Sequence, residues 1–376
     1  MPRSIRTDVL LHPLLLAAAL LLAGCAQPGY YWQSLRGHLA ILQAARPVQD
    51  WTGEPGTPEP LRARLALAQK ARDFAVSELA LPDNASYRRY ARLERKAAVW
   101  NVVAAGPYSL DLYRWCFPIT GCIGYRGYFD EAEARAEGRR LAATGLEVSV
   151  YGVPAYSTLG YSNWLGGDPL LSTFIAWPEG DFVRLLFHEL AHQQVYAAGD
   201  TAFNESYATA VERLGVRRWL DVHGTPAARA QFEASERHRA QFRALTQATR
   251  ARLAQIYASN MATAPDQQAQ EAMKSEAMQR FRDDYAALRT RWLAEHMPPS
   301  RLAALDLWVR EANNASFAAQ GAYDDLVPAF VALFEREGRD WPRFHAAVRA
   351  LAEQAQSERA AALQALLPAP AAGSSG

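Results

Sequence analysis

From Pro178 almost to Leu367 the sequence has a nearly continuous helical pattern, and this stretch constrains the fold more than any other feature. Apolar residues recur there at the three- and four-residue intervals that place side chains on one face of a helix. Turn-forming residues interrupt the pattern near Gly199, Gly224, Ala264, Pro298 and Gly338. Because 50% of the residues are hydrophobic, such helices can pack around a substantial core. The sequence therefore predicts a mostly helical protein, with a helical C-terminal part over residues 226–367.

Two short segments before this helical stretch have the pattern of strands. Residues 147–151 and 171–177 are rich in β-branched and aromatic side chains. Helices are predicted further upstream over residues 61–81, 86–100 and 130–144. The predicted fold class is α+β, predominantly α-helical, with a small β-sheet next to the central helix.

Within the helical stretch, His188, Glu189 and His192 form the pattern His-Glu-x-x-His. A helix spanning about 180–198 would place the two histidines on one face, one turn apart, where both can bind the same metal ion. Glu189 lies beside the first histidine and can act as a general base toward water. The pattern predicts a hydrolytic metal site with His188 and His192 as ligands and Glu189 as the catalytic base.

A hydrolytic zinc site usually has three protein ligands, so the sequence must supply one more. Glu205 follows His192 by thirteen residues, after a turn at Gly199 and Asp200. Glu212 is the alternative, seven residues further along the same predicted helix. Asn204 precedes Glu205, and an Asn-Glu pair opening the second helix resembles the gluzincin metallopeptidases. That resemblance favours Glu205 as the third metal ligand.

The N-terminus has the features of an exported lipoprotein. Arg3 and Arg6 precede an apolar run over residues 9–23, and Cys25 ends the segment Leu-Ala-Gly-Cys. This segment resembles a bacterial lipobox, in which the cysteine becomes the acylated first residue after the leader is removed. We expect a leader over residues 1–24, a lipid anchor on Cys25 and a linker over residues 25–60. The resemblance places the protein on the periplasmic face of the outer membrane.

The other cysteines, the net charge and the absence of certain motifs exclude several classes of function. Cys116 and Cys122 lie in a Pro- and Gly-containing loop, and an exported protein would join them in a disulfide. A net charge of +1 gives no basic surface for nucleic acid, and we expect no nucleic-acid partner. Neither a Gly-rich phosphate loop nor a Gly-x-Ser-x-Gly motif occurs.

Eight segments, together with Tyr323, form a recognisable set spread over most of the chain: LPDNASYRRY (81–90), VWNVVAA (99–105), YRGYF (125–129), YSTLG (156–160), DP (168–169), FHELAH (187–192), FNESYA (203–208) and NNA (313–315). In these segments the chain resembles the bacterial family of predicted aminopeptidase lipoproteins. The resemblance implies a zincin-like core that binds one Zn²⁺ through His188, His192 and Glu205. The ion would activate a water molecule, and Glu189 would pass the water proton to the leaving amine.

The same resemblance implies the other participants in peptide hydrolysis. A Tyr hydroxyl would stabilise the developing oxyanion, with Tyr323 as the first candidate and Tyr207 and Tyr156 as alternatives. Residues 171–177 would hold the peptide backbone at the sheet edge. Asp168 and Glu212 are the candidates for binding the free amine of the substrate.

The sequence thus predicts a lipid-anchored zinc aminopeptidase that acts on peptides in the cell envelope. Two alternatives remain: a zinc endopeptidase for envelope proteins, and a non-catalytic envelope scaffold or chaperone with a structural metal site. The predicted organisation is a single peptidase domain over residues 61–367, followed by a disordered tail over residues 368–376.

Overall fold

The computed structural model describes residues 28–117, 121–155, 158, 165–262 and 267–367. Helices dominate it. Those before the His-Glu-x-x-His motif are α1 (Pro28–Ala44), α2 (Val48–Gly53), α3 (Glu59–Ser77) and α4 (Glu131–Ala142). The later ones are α5 (Glu179–Gln194), α6 (Thr201–His223), α7 (Pro226–Ala262), α8 (Gln267–Ala294), α9 (Pro299–Glu311), α10 (Asn314–Asp324), α11 (Val327–Arg336), α12 (Trp341–Ala352) and α13 (Gln356–Gln364). The predominantly helical α+β fold class is confirmed.

The strands are short and form small sheets. They are β1 (Arg46–Pro47), β2 (Arg89–Ala91), β3 (Val99–Ala105), β4 (Trp115–Phe117), β5 (Gly121–Ile123), β6 (Arg126–Tyr128), β7 (Glu147–Val153) and β8 (Leu170–Leu171). The sheets have the orders β1–β2–β8, β6–β3–β7 and β4–β5. In the second sheet β3 is central and antiparallel to both neighbours, with Asn101 opposite Tyr151. α4 and α10 pack against this sheet.

Cys116 and Cys122 form a disulfide that joins β4 to β5. The hairpin lies against the turn that precedes α6, where Arg114 donates a hydrogen bond to the Gly199 carbonyl. Gly121 approaches this turn so closely that a Cβ there would lie 2.8 Å from the Gly199 nitrogen. The disulfide-linked hairpin therefore supports the entry to α6.

Two of the predicted elements are wrong. Residues 86–100, predicted as a helix, contain β2 and the start of β3, because the apolar run from Val99 is the buried central strand of a sheet. Residues 171–177, predicted as a strand, turn after Leu171, and the Ile175 amide donates to the Leu171 carbonyl in a helical turn. Phe174 and Ile175 are buried as the apolar pattern implied, but burial alone does not distinguish a strand from a turn. The proposed sheet edge for substrate is therefore absent from residues 172–177.

Two other segments differ from expectation in extent. The expected linker over residues 25–60 contains α1, β1 and α2, and Ile41, Ala45 and Val48 are buried there. The motif helix ends at Gln194 rather than near residue 198, because Val195 is extended. Cys25 and the tail over residues 368–376 lie outside the described residues. Among the described helices, none is long and apolar enough to cross a membrane.

The principal hydrophobic core surrounds α5 and α6. Phe182, Leu186, Phe187 and Leu190 project from α5 into this core. A Cβ at Gly215 of α6 would lie 2.9 Å from the Phe187 ring, so glycine lets the two helices approach closely. A second cluster of buried residues lies among α7, α8, α9 and α10. The apolar side of the motif helix is therefore fixed in the core, and this packing holds the helix backbone that carries the two histidines.

Candidate metal centre

The two motif histidines point toward one another from successive turns of α5. The Nε2 atoms of His188 and His192 lie 3.2 Å apart, and both side chains are buried. Two facing imidazole nitrogens buried away from water are unfavourable unless they share a proton or bind a common partner. The helical spacing predicted for His188 and His192 is thus realised with both Nε2 atoms directed at one point.

Glu205 completes a triangle with these nitrogens. Its Oε2 lies 3.3 Å from His188 Nε2 and 3.5 Å from His192 Nε2. Among the described residues, His188, His192 and Glu205 form a buried group that could hold a metal ion. The structure therefore brings together the three residues predicted as metal ligands.

Asn204 explains how the short connection after α5 places Glu205. The side-chain oxygen of Asn204 accepts from the Ala197 amide at 2.8 Å, and its Nδ2 donates to the Ala197 carbonyl at 2.8 Å. Asp200 caps α6 by accepting from the Phe203 amide, and the buried Arg359 donates to Asp200 at 3.0 Å. These contacts fix the first turn of α6, from which Glu205 projects.

Glu212 lies on the other side of His188 from Glu205. Its Oε2 is 3.0 Å from Nδ1 of His188, whereas Glu205 faces Nε2. Arg184 of α5 approaches the second oxygen of Glu212 at 3.6 Å. A carboxylate at the outer nitrogen of a ligating imidazole fixes the orientation of the ring. The geometry therefore favours Glu205 as the ligand and gives Glu212 a supporting position.

The electrostatics of the group favour a positive charge. Burial would lower the pKa of His188, but the carboxylates of Glu205 and Glu212 outweigh it and raise that pKa to about 10. Burial would raise the pKa of Glu205, but the two histidines hold it at about 2. A metal cation bound at this position would balance the negative charge of the carboxylates, as a proton on His188 does in its absence.

Glu189 directly follows His188 on α5, and its side chain is partly accessible. Burial raises its pKa, as do the charges of Glu205 and Asp168, whereas His188 and His192 lower it. A carboxyl with a raised pKa accepts and releases a proton more readily near neutral pH. Glu189 is thus beside the histidines without being one of the three grouped ligands, as the motif predicted.

The Asp168 carboxylate, a candidate for binding the substrate amine, and the Tyr207 hydroxyl, a candidate for stabilising the oxyanion, are both engaged with other residues. Asp168 is buried and accepts from the Thr158 hydroxyl at 2.8 Å and from Gln193 at 3.2 Å, so it ties a loop to α5. The Tyr207 hydroxyl is fully buried and lies 2.8 Å from Nδ1 of His345. Neither group is available to a substrate. Tyr156 and the Tyr323 side chain lie outside the described residues, although the backbone of Tyr323 belongs to α10.

Tyr125 and Tyr151 are near the centre and were missed from sequence. Both are half-buried and pack with Val103 of β3 and Ala319 of α10. Burial raises the pKa of Tyr125 well above its ordinary value, and the charges of Glu205 and of Glu189 contribute. Burial also raises the pKa of Tyr151 to about 12, with a smaller contribution from Glu205. The sequence placed Tyr151 on a predicted strand over residues 147–151, but no local pattern connects that strand with the metal centre.

Comparison with known proteins identifies one family. The family model described as "Putative aminopeptidase" matches residues 29–363, which include every described residue of the metal centre. Searches of curated proteins and of solved structures gave no match.

Proposed function

The chain belongs to the family described as "Putative aminopeptidase", and from this premise we propose that it is a zinc-dependent aminopeptidase anchored by lipid in the cell envelope. Family membership indicates a peptidase. The observation that carries the proposal further is the triangle formed by His188 Nε2, His192 Nε2 and Glu205 Oε2, with edges of 3.2, 3.3 and 3.5 Å.

The triangle has the dimensions of one face of a tetrahedral zinc site. Zinc binds imidazole nitrogen and carboxylate oxygen at about 2.0–2.2 Å, so tetrahedral ligands lie about 3.3 Å from one another. Two imidazoles and a carboxylate are also a donor set typical of hydrolytic zinc sites, which keep a fourth position open. Size and chemistry therefore both fit Zn²⁺, with His188, His192 and Glu205 as its ligands.

A bound zinc ion supplies a Lewis acid that lowers the pKa of water and polarises a carbonyl. The protein's own contribution begins with Glu189, which accepts the proton of the attacking water and delivers it to the leaving amine. Its raised pKa suits both transfers. Glu212 holds the His188 ring in the orientation that directs Nε2 inward.

Stabilisation of the developing oxyanion requires a hydrogen-bond donor beside the centre. Tyr125 and Tyr151 carry their hydroxyl protons at neutral pH, as tyrosines ordinarily do, and burial raises the pKa of both further. Each can therefore donate a hydrogen bond, and they join Tyr323 as candidates for this role. Tyr207 is no longer one, because its hydroxyl is engaged with His345.

Localisation in the envelope is proposed from the sequence. Leu-Ala-Gly-Cys25 after an apolar run resembles a lipobox, which would leave acylated Cys25 at the N-terminus on the periplasmic face of the outer membrane. The Cys116–Cys122 disulfide supports an oxidising compartment. Replacing Cys25 with serine should release the protein from membrane fractions.

Zinc analysis combined with peptide hydrolysis tests the function. The unchanged protein should hold about one zinc ion and hydrolyse peptides, whereas Glu189→Gln should keep the metal and lose at least about 100-fold in kcat. Glu233→Gln, at an exposed position on α7, is the matched control and should behave as the unchanged protein. Hydrolysis of peptides with a free N-terminus but not of blocked ones would identify an aminopeptidase. Equal rates for Glu189→Gln and the unchanged protein would refute the mechanism.

A further inference from the structure

We propose that α1 rests on the surface of a lipid bilayer through an exposed apolar face made of Tyr31, Trp32, Leu35 and Leu39. These residues are called the outer face of α1. Their exposed fractions are 42% for Tyr31, 65% for Trp32, 51% for Leu35 and 38% for Leu39. This one helix holds four of the nine large hydrophobic side chains that are exposed among the described residues.

The four side chains form one continuous surface. With about 100° between successive residues of a helix, they fall within an arc of about 100°. Isolated apolar side chains on a surface are ordinary, but a contiguous stripe on one helix marks a surface that contacts something. Trp and Tyr are also the residues that favour the boundary between lipid tails and water.

The opposite side of α1 is firmly attached to the protein, so the outer face cannot turn inward. Gln33 accepts from the Phe129 amide at 3.0 Å, and the Arg126 guanidinium stacks 3.8 Å from the centre of the Tyr30 ring. At Gly37 a Cβ would lie 2.1 Å from the Phe129 side chain, so α1 sits in close contact with that residue. Ile41 is buried one turn later. The exposed stripe is thus a fixed feature of the fold.

The position of α1 in the chain indicates that the partner of its outer face is a lipid bilayer. The helix begins at Pro28, three residues after Cys25, the proposed site of acylation. Three extended residues span only about 10 Å, so a lipid on Cys25 would keep the start of α1 at the headgroups. Arg36 is exposed beside the apolar arc, at about 40° from Trp32, and can pair with anionic headgroups. A helix of 17 residues lying flat would add apolar contact to a single attachment point.

This inference extends the proposed lipid-anchored localisation, and its test omits the lipid so that the two can fail separately. The chain from Ala26 onward contains every described residue and carries neither the leader nor Cys25. We would measure its co-sedimentation with vesicles of phosphatidylethanolamine and phosphatidylglycerol, for the unchanged sequence and for the double variant Trp32→Ser/Leu35→Ser.

The unchanged chain should bind the vesicles, and the double variant should bind at least about tenfold more weakly, because two apolar side chains no longer enter the interface. Val222→Ser/Leu307→Ser is the matched control, since these side chains are 49% and 43% exposed elsewhere on the surface, and it should bind as the unchanged chain does. Peptide hydrolysis should be the same in all three proteins, which separates this surface from the active site.

Absence of vesicle binding by the unchanged chain would overturn the proposal, as would equal binding by Trp32→Ser/Leu35→Ser. Size-exclusion chromatography would test the alternative that the outer face binds a second copy of the chain. A dimer that the double variant abolishes, together with no vesicle binding, would assign the outer face to a second copy of the chain and also contradict the proposal.

Discussion

Nδ1 of His188 lies 3.0 Å from Oε2 of Glu212, on the side of the imidazole ring that faces away from Glu205. The two carboxylates on α6 therefore contact opposite nitrogens of the same histidine. One can serve as a metal ligand while the other orients the ring. The Asn-Glu resemblance favoured Glu205 as the ligand, but nothing in the sequence assigned Glu212 to the outer nitrogen of His188.

The pairing of Glu212 with His188 predicts a loss of metal affinity in Glu212→Gln. An amide is a weaker partner for the imidazole than a carboxylate, so zinc should bind about 10–100-fold more weakly. Competition with a chromophoric chelator would measure the dissociation constant. Glu233→Gln provides the control on an exposed surface. Unchanged zinc affinity in Glu212→Gln would show that Glu212 does not support the site.

Asn204 should be as important for the position of Glu205 as any residue outside the ligand set. Asn204→Ala removes both hydrogen bonds to Ala197 and leaves two buried backbone groups without these partners. We expect a loss of about 2–4 kcal/mol in the free energy of unfolding, together with weaker zinc binding. Urea unfolding and chelator competition would measure the two effects. A fully stable Asn204→Ala protein with unchanged zinc affinity would exclude this role.

The disulfide hairpin predicts a link between cysteine chemistry and the metal site. In Cys116→Ser/Cys122→Ser the hairpin against Gly199 loses its covalent closure, which should cost about 2 kcal/mol of stability. Since Gly199 precedes α6, zinc affinity should fall as well. Chelator competition on the double variant and on the unchanged protein would compare them. Lower stability with unchanged zinc affinity would show that the disulfide stabilises the fold but does not influence the metal centre.

His345 predicts a pH-dependent component of stability. Burial lowers its pKa from 6.5 to about 4, and its Nε2 lies 2.9 Å from the Leu79 carbonyl. Since the unfolded chain binds this proton more readily than the folded one, stability present above pH 6.5 is lost as the pH falls toward 4. The loss should be on the order of 2–3 kcal/mol.

Urea unfolding of the metal-free protein between pH 7 and pH 4 would measure this effect. His345→Gln keeps a polar side chain that does not titrate, so its stability should depend less steeply on pH over this range. Parallel pH profiles for the two proteins would show that His345 does not contribute.

Local sequence signals predicted the parts of the site that local geometry builds. The four-residue spacing of His188 and His192 places both on one face of a helix, whatever the rest of the fold. In the structure both side chains are buried, and their Nε2 atoms lie 3.2 Å apart. The Asn-Glu resemblance favoured Glu205, and hydrogen bonds from Asn204 account for its position. Helical periodicity likewise predicted α3 and the helical arrangement after Pro178.

Features that depend on distant residues were not predictable in this way. The strand from Val99 forms because β6 and β7 pair with it, and periodicity within residues 86–100 contains no information about those partners. Tyr125 and Tyr151 pack with Ala319 of α10, and this contact between helix and sheet joins residues far apart in the sequence. Residues 172–177 were predicted as a strand from their β-branched and aromatic side chains, whereas their turn depends on backbone hydrogen bonds to the Leu171 carbonyl.

X-ray absorption at the zinc edge, with metal content measured on the same samples, tests the central claim most directly. The unchanged protein should hold about one zinc ion with nitrogen and oxygen ligands at about 2.0–2.2 Å and no sulfur ligand. Glu205→Ala should lose most of this zinc, whereas Glu212→Ala should retain the same coordination at reduced affinity. A Glu205→Ala protein with full zinc affinity, beside a Glu212→Ala protein that has none, would contradict the ligand set on which the proposed function depends.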